Sequence, residues 1–147
     1  MANKDTAISG ERMGFPHLVK WVEMAVRARV ERVLRNQPIS SSQLFALVLI
    51  DERGEVTAAE LARLMHITPQ AFTPLLRPLR AQGLIEREPD AAHRRRLTMR
   101  LTDAGRTVIA KARALTPEIE GAMLADFTDA ERETLLRLLA RIVRPLA

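Results

Sequence analysis

The sequence predicts a mainly α-helical chain with a small β-hairpin wing, a winged helix-turn-helix with N- and C-terminal dimerisation helices. Three observations predict it. Apolar residues recur every three or four places through most of the chain. Late in the middle lobe two segments of period-two alternation, "LIERE" and "RRRLTMRL", flank "PDAAH" as a hairpin with a basic second arm. The helical stretches at the two chain ends carry more apolar surface than the small middle lobe can bury, so they are expected to pack on each other and on a second copy.

Taken in order, residues 1–14 form a polar tail without the apolar core of a signal peptide. From Phe15 to about Asn36, Leu18, Trp21, Val22, Ala25 and Val33 repeat at helical spacing, and Gln37-Pro38 ends the helix. Residues 15–39 are thus an N-terminal dimerisation helix. Ser40-x-x-Gln43 reads as a capping box opening a second helix through Leu44, Leu47, Val48 and Ile50, closed near Gly54. Thr57-x-x-Glu60 opens a third, short helix through Leu61, Leu64 and Met65. After the hairpin, Thr102 caps a helix from Asp103 to about Leu115, stopped by Thr116-Pro117. A last capping box, Thr128-x-x-Glu131, opens a helix carrying Leu135, Leu138, Leu139 and Ile142. The winged lobe covers residues 40–101, and the C-terminal helices, 102–147, complete the dimerisation lobe.

The fourth helical stretch, "TPQAFTPLLRPLRAQGL", contains three prolines. Pro69 follows the N-cap Thr68 and sits at the first helical position, where its missing amide hydrogen has no partner to lose. Pro74 and Pro78 are interior, and each costs about 3 kcal/mol in an ideal helix. Phe72, Leu75, Leu76 and Leu79 nevertheless share one face, with Pro74 near the middle of the opposite face and Pro78 on its flank. The carbonyls these prolines orphan, on Gln70 and Pro74, then face water. Two outcomes are open: a helix bent or opened around Pro74, or one that starts late with Thr73-Pro74 as its cap and first turn. Either way the outward residues are Gln70, Thr73, Pro74 and Arg77, with Arg80 at the edge.

Composition narrows the function. The chain has 147 residues and no cysteine, which excludes disulfides, thiolate zinc sites and thiol redox chemistry. No apolar run approaches the ~20 residues of a bilayer span, so a soluble, cytoplasmic protein without a membrane partner is expected. The net charge of +5 is uneven: Arg77 to Arg113 holds ten Lys/Arg against four Asp/Glu. An Arg-rich segment is either a solvated surface or a polyanion-binding one. No Gly-rich phosphate loop or nucleophile elbow is present, and Asp51, Glu52 and Glu55 read as a polar turn, so no enzyme is predicted. Three scattered histidines make a poor ligand set, and neither metal nor cofactor is predicted.

The run "ELARLMHITPQAFTPLLRPLRAQGLIERE" followed by "RRRLTMRLTDAGR" resembles the core of the multiple-antibiotic-resistance repressor (MarR) family. The residues that carry the resemblance are Leu61-Ala62, Leu79 to Gly83-Leu84 with Arg87, and Leu101-Thr102 with Gly105. It covers about residues 40–113 by motif, with the flanking helices similar in placement. The resemblance implies a homodimer whose first and last helices intertwine. Each subunit would offer a recognition helix to the major groove of double-stranded DNA and a wing to the minor groove. It also implies a transcriptional regulator, most often a repressor, released by a small aromatic ligand bound between the lobes. On the matching positions, Thr68, Gln70, Thr73, Arg77 and Arg80 would contact DNA from the recognition helix. Arg94, Arg95 and Arg96 would do so from the wing, where a narrow minor groove attracts arginine. His17 and Trp21, near Phe15, lie where the family places its ligand, although simple packing of a helix end is the plainer account of them.

Two positions depart from the family. Pro74 stands where an Arg is frequent, and His93 stands where an Asp usually precedes the wing arginine by two residues, leaving Asp90 as the one substitute. These departures define an alternative function, a winged-helix dimer whose DNA reading is altered or lost through Pro74 and Pro78 and which acts through a protein partner or small ligand.

Overall fold

The computed structural model describes residues 13–89 and 97–144. Their order is α1 (Phe15–Val33), α2 (Ser41–Arg53), β1 (Val56–Thr57), α3 (Ala58–Leu64), α4 (Pro69–Ala81), β2 (Ile85–Pro89), β3 (Leu97–Leu101), α5 (Asp103–Met123) and α6 (Asp129–Val143). Side-chain caps set most helix starts. The Ser40 hydroxyl accepts the Gln43 N–H at 3.2 Å while Gln43 Oε1 accepts the Ser40 N–H at 2.8 Å. Thr57 with Glu60 and Thr128 with Glu131 repeat this reciprocal box, and Thr68 and Thr102 cap α4 and α5 singly. α1 ends before Asn36: the chain turns inward at the buried Leu34, and the Gln37 N–H closes on Leu34 O at 2.7 Å.

The core lies in the winged lobe. Leu47 and Ile50 of α2, Leu61 of α3, Leu79 of α4, Met99 of β3 and Ile109 of α5 are fully buried together. Apolar residues that recur every three or four places along each helix, such as Phe72, Leu76 and Leu79 of α4, let one face of each helix reach this centre. The turn between α3 and α4 is made by His66, at φ 52, with the Ile67 N–H donating to Ala62 O at 3.1 Å. A similar turn after α4 uses Gly83, at φ 66, and the Leu84 N–H donates to Leu79 O at 3.0 Å.

One expectation is extended and one is corrected. The predicted hairpin is part of a three-stranded antiparallel sheet of order β1-β3-β2, because Val56 and Thr57 pair with Met99 and Thr98. Both residues of β1 are buried, so their backbone groups need partners, and β3 supplies them. Second, α5 does not stop at Thr116-Pro117 but runs on to Met123. Ile109 is buried and Ala112, Leu115, Ile119 and Met123 are half-buried along one stripe, whereas Pro117 is exposed on the other side. Continued apolar contact along the stripe outweighs the roughly 3 kcal/mol that the proline costs.

Gly105 explains the Leu-Thr-x-x-Gly motif. A side-chain carbon there would overlap the Leu84 carbonyl oxygen and sit 3.2 Å from Leu101 Cδ2. That carbonyl also accepts the Thr102 N–H at 3.1 Å, and Thr102 Oγ1 donates to Gly83 O at 2.6 Å. The start of α5 is thereby seated on the start of β2, which fixes the root of the wing against the end of α4.

Candidate functional site

α4 is one uninterrupted helix from Pro69 to Ala81. The late start at Thr73-Pro74 is therefore corrected, as is an opening at Pro74. Thr68 already caps the helix, and burial of Phe72, Leu76 and Leu79 holds all its turns against the core. Pro74 is exposed, so the carbonyl it orphans on Gln70, itself an exposed residue, lies on the side open to water.

The exposed face holds the predicted residues together. Thr68, Gln70, Thr73, Arg77 and Arg80 are all exposed, and the spacing 70, 73, 77, 80 places four of them along one side of the helix. The Thr68 hydroxyl accepts the Ala71 N–H at 3.3 Å, which leaves its own proton available to an acceptor such as a phosphate oxygen. Beside this face, α4 and β2 enclose an open groove of about 430 Å³. Its floor includes the buried Leu76 and Ile85, and Thr73, Arg77, Arg80 and Arg87 line it. Arg87 belongs with the site although sequence reasoning placed it only in a motif. Its position on the strand after α4, one residue from the also exposed Glu86, gave no separate signal.

The structure also sorts the basic segment. Arg100 bonds Glu88 across the sheet at 2.6 Å and approaches Glu55 at 3.9 Å, and the Glu88 hydrogen bond holds the guanidinium pKa above its ordinary value. Arg106 pairs with Asp103, and Arg113 on α5 bridges Asp51 at 2.7 Å and Glu52 at 3.4 Å on α2. The polar turn of Asp51 and Glu52 is thus a tie between two helices. Arg77, Arg80 and Arg87 have no ion pair among the described residues, and these three lie together around the α4 groove. Arg94, Arg95 and Arg96, together with Asp90 and His93, lie outside the described residues.

His17 and Trp21 sit on the exposed first two turns of α1, beside the exposed Phe15. A separate apolar cavity of about 140 Å³ lies between α1, α2 and α5, lined by Val30, Leu44, Val48, Ile109 and Ile119 with Arg113. His17 and Trp21 do not line it. Among the described residues no cluster of His, Cys, Asp or Glu could hold a metal ion, and no helix is long and apolar enough to cross a membrane.

Neither α1 nor α6 buries a single residue. Phe15, Leu18, Trp21, Val22 and Met24 on α1 and Leu136, Leu138, Leu139, Ile142 and Val143 on α6 are exposed, a far larger apolar surface than isolated hydrophobic residues make.

Comparison with known proteins agrees with this geometry. Residues 37–96 match the sequence profile described as the MarR family. An HTH-type transcriptional repressor of Mycobacterium tuberculosis is 26% identical over 126 residues, covering 86% of this chain and 91% of that protein. A crystal structure of MarR superimposes with a TM-score of 0.83 at 25% identity, covering 91% of each chain. A MarR mutant from E. coli complexed with operator DNA shares the fold, with a TM-score of 0.74 at 21% identity over 92% of this chain and 97% of that one.

Proposed function

Because the chain belongs to the MarR family of winged helix-turn-helix regulators, we propose that it is a homodimeric, sequence-specific DNA-binding repressor. The observation that carries this reading is the exposed face of α4, where Gln70, Thr73, Arg77 and Arg80 line up beside the uncompensated Arg87. In this reading, α4 enters the major groove of double-stranded DNA. Gln70 pairs with an adenine edge, Arg77 and Arg80 take guanine or phosphate, Thr73 meets a thymine methyl, and Thr68 donates to phosphate. The wing arginines, Arg94 to Arg96, enter the adjoining minor groove. The apolar faces of α1 and α6 are covered by a second copy, so that two α4 helices lie about one duplex turn, ~34 Å, apart. A small aromatic ligand at the His17–Trp21 end of α1 releases the DNA, and the protein works in the cytoplasm. The alternative of lost DNA reading rested on a proline-disabled helix, and the continuity of α4 weakens that ground.

The test is binding of the full chain to fluorescent duplexes from the DNA upstream of its own gene and to scrambled duplexes, at several salt concentrations. Selective binding with a steep salt dependence is expected. Replacing Gln70 by Ala is expected to relax preference at one position in each half-site. Equal affinity for both duplexes at every salt concentration would sink the sequence-specific reading.

A further inference from the structure

The carbonyls of a helix ordinarily each accept one N–H from four residues on and keep a second lone pair free. Pro74 and Pro78 supply no N–H, so the middle of α4 lacks two backbone bonds in successive turns. A side chain from another element reaches that stretch. Gln43 Nε2, at the start of α2, donates to Leu75 O at 3.2 Å across 32 residues of sequence. The other end of the same amide is committed as well, because Gln43 Oε1 accepts the Ser40 N–H in the capping box. Beyond the end of the helix, Gln82 Nε2 donates to Pro38 O at 3.1 Å. Segment 38–43 is therefore tied at both its ends to α4, once between the prolines and once at the C-cap.

We propose that Gln43 is a positioning residue for DNA reading: its amide restrains from outside the middle of α4, where two backbone donors are missing, and fixes how Gln70, Thr73 and Arg77 face the bases. The inference rests on the reading of α4 as a recognition helix. The contact is half-buried, where water competes less well for the carbonyl than it does at the exposed Gln70. The residue type is specific to the task. A Glu at position 43 would keep the capping box, where an acidic third residue serves as well, yet would bring no donor to Leu75 O. Gln43→Glu thus separates the positioning bond from the cap, which Gln43→Ala would not.

The experiment uses the full chain, wild type and Gln43→Glu. Amide hydrogen exchange over residues 75–82 is measured by mass spectrometry. Affinity is measured for the duplex that the wild type selects from a random-sequence pool and for its scrambled version. Loss of one net hydrogen bond should speed α4 exchange by about five- to tenfold and lower the ratio of selected to scrambled affinity about fivefold. Scrambled affinity, set by phosphates, should change less than about twofold. Adding Pro78→Ala returns a backbone donor to Pro74 O and should bring exchange back toward wild type; an unchanged rate there would break the link to the prolines. Wild-type exchange in Gln43→Glu overturns the anchoring, and faster exchange with an undiminished affinity ratio overturns its role in reading. A wild-type chain that selects no duplex overturns the recognition-helix reading itself, while the exchange comparison still decides whether Gln43 holds α4.

Discussion

Replacing Gly105 by Ala sets two known effects against each other. Gly105 has no positive φ, so on backbone preference alone alanine would stabilise this third position of α5 by up to about 1 kcal/mol. Space decides otherwise. The added carbon would overlap the Leu84 carbonyl oxygen, which is backbone and cannot rotate away, and would press on Leu101 Cδ2 at 3.2 Å. Relief requires α5 to lift from β2, and the same movement stretches the 3.1 Å bond from the Thr102 N–H to Leu84 O. Overpacking costs about 1–3 kcal/mol and a weakened buried hydrogen bond about 1 kcal/mol more. After the helix-preference gain is subtracted, the expected loss is about 1–3 kcal/mol, or a thermal midpoint lower by roughly 2–12 °C for a chain of this size. Differential scanning calorimetry at one fixed protein concentration measures it, since association would otherwise shift the midpoint. Gly121, in the same helix, meets nothing within 4 Å, and there the same substitution should raise the midpoint. A Gly105→Ala midpoint equal to or above wild type would refute the steric argument.

Further outcomes follow from the site and the caps. Arg87→Ala and Arg95→Ala should each weaken binding to every duplex and lower the slope of log affinity against log salt by about one, which a salt titration by fluorescence anisotropy reads; an unchanged slope removes that residue from the phosphate contacts. His66→Gly should raise stability by about 0.5–1 kcal/mol in urea titration, because glycine adopts the φ of 52 that histidine holds at a cost; a loss of stability would show that the imidazole contributes contacts of its own. Hydrogen bonds from the Thr128 backbone and hydroxyl hold the Glu131 carboxyl below its ordinary pKa. Its contribution to the start of α6 is therefore complete above the ordinary glutamate range and is lost as pH falls through the lowered value. Amide NMR shifts of Thr128 and Glu131 should titrate together there, and independent titration would contradict the capping box.

How much of this could be read from the sequence depended on the distance over which each signal acts. Caps at Ser40, Thr57, Thr68, Thr102 and Thr128 are bonds between residues three apart, so their pattern is visible in a short window. The outward face of α4 was legible for the same reason, from the period of Phe72, Leu75, Leu76 and Leu79. β1 was not, because two residues carry no period and Val56 and Thr57 are strands only through Met99 and Thr98. At Pro117 a strong local stop signal was outweighed by a stripe reaching to Met123, which no single residue announces. In the site, net charge overstated the free arginines. The partners of Arg100 and Arg113 lie 12 and 62 residues away, and the reach of Gln43 to Leu75 spans 32.

The unbroken α5 gives the molecule a lever. Its 21 residues make a rod of about 31 Å running from the root of the wing to the flanking helices. A tilt of about 5° at one end of a rod that long displaces the other by roughly 3 Å, close to the rise of one base-pair step. Had the helix ended at Thr116, that motion would have been absorbed in a joint. The place where the rod is weakest is the turn before Pro117, where Arg113 loses its carbonyl's backbone donor, and it is there that the Arg113 side chain is bound to Asp51 and Glu52. The ion pairs to these two carboxylates tie the rod to α2 at the turn where its own backbone bonding is interrupted.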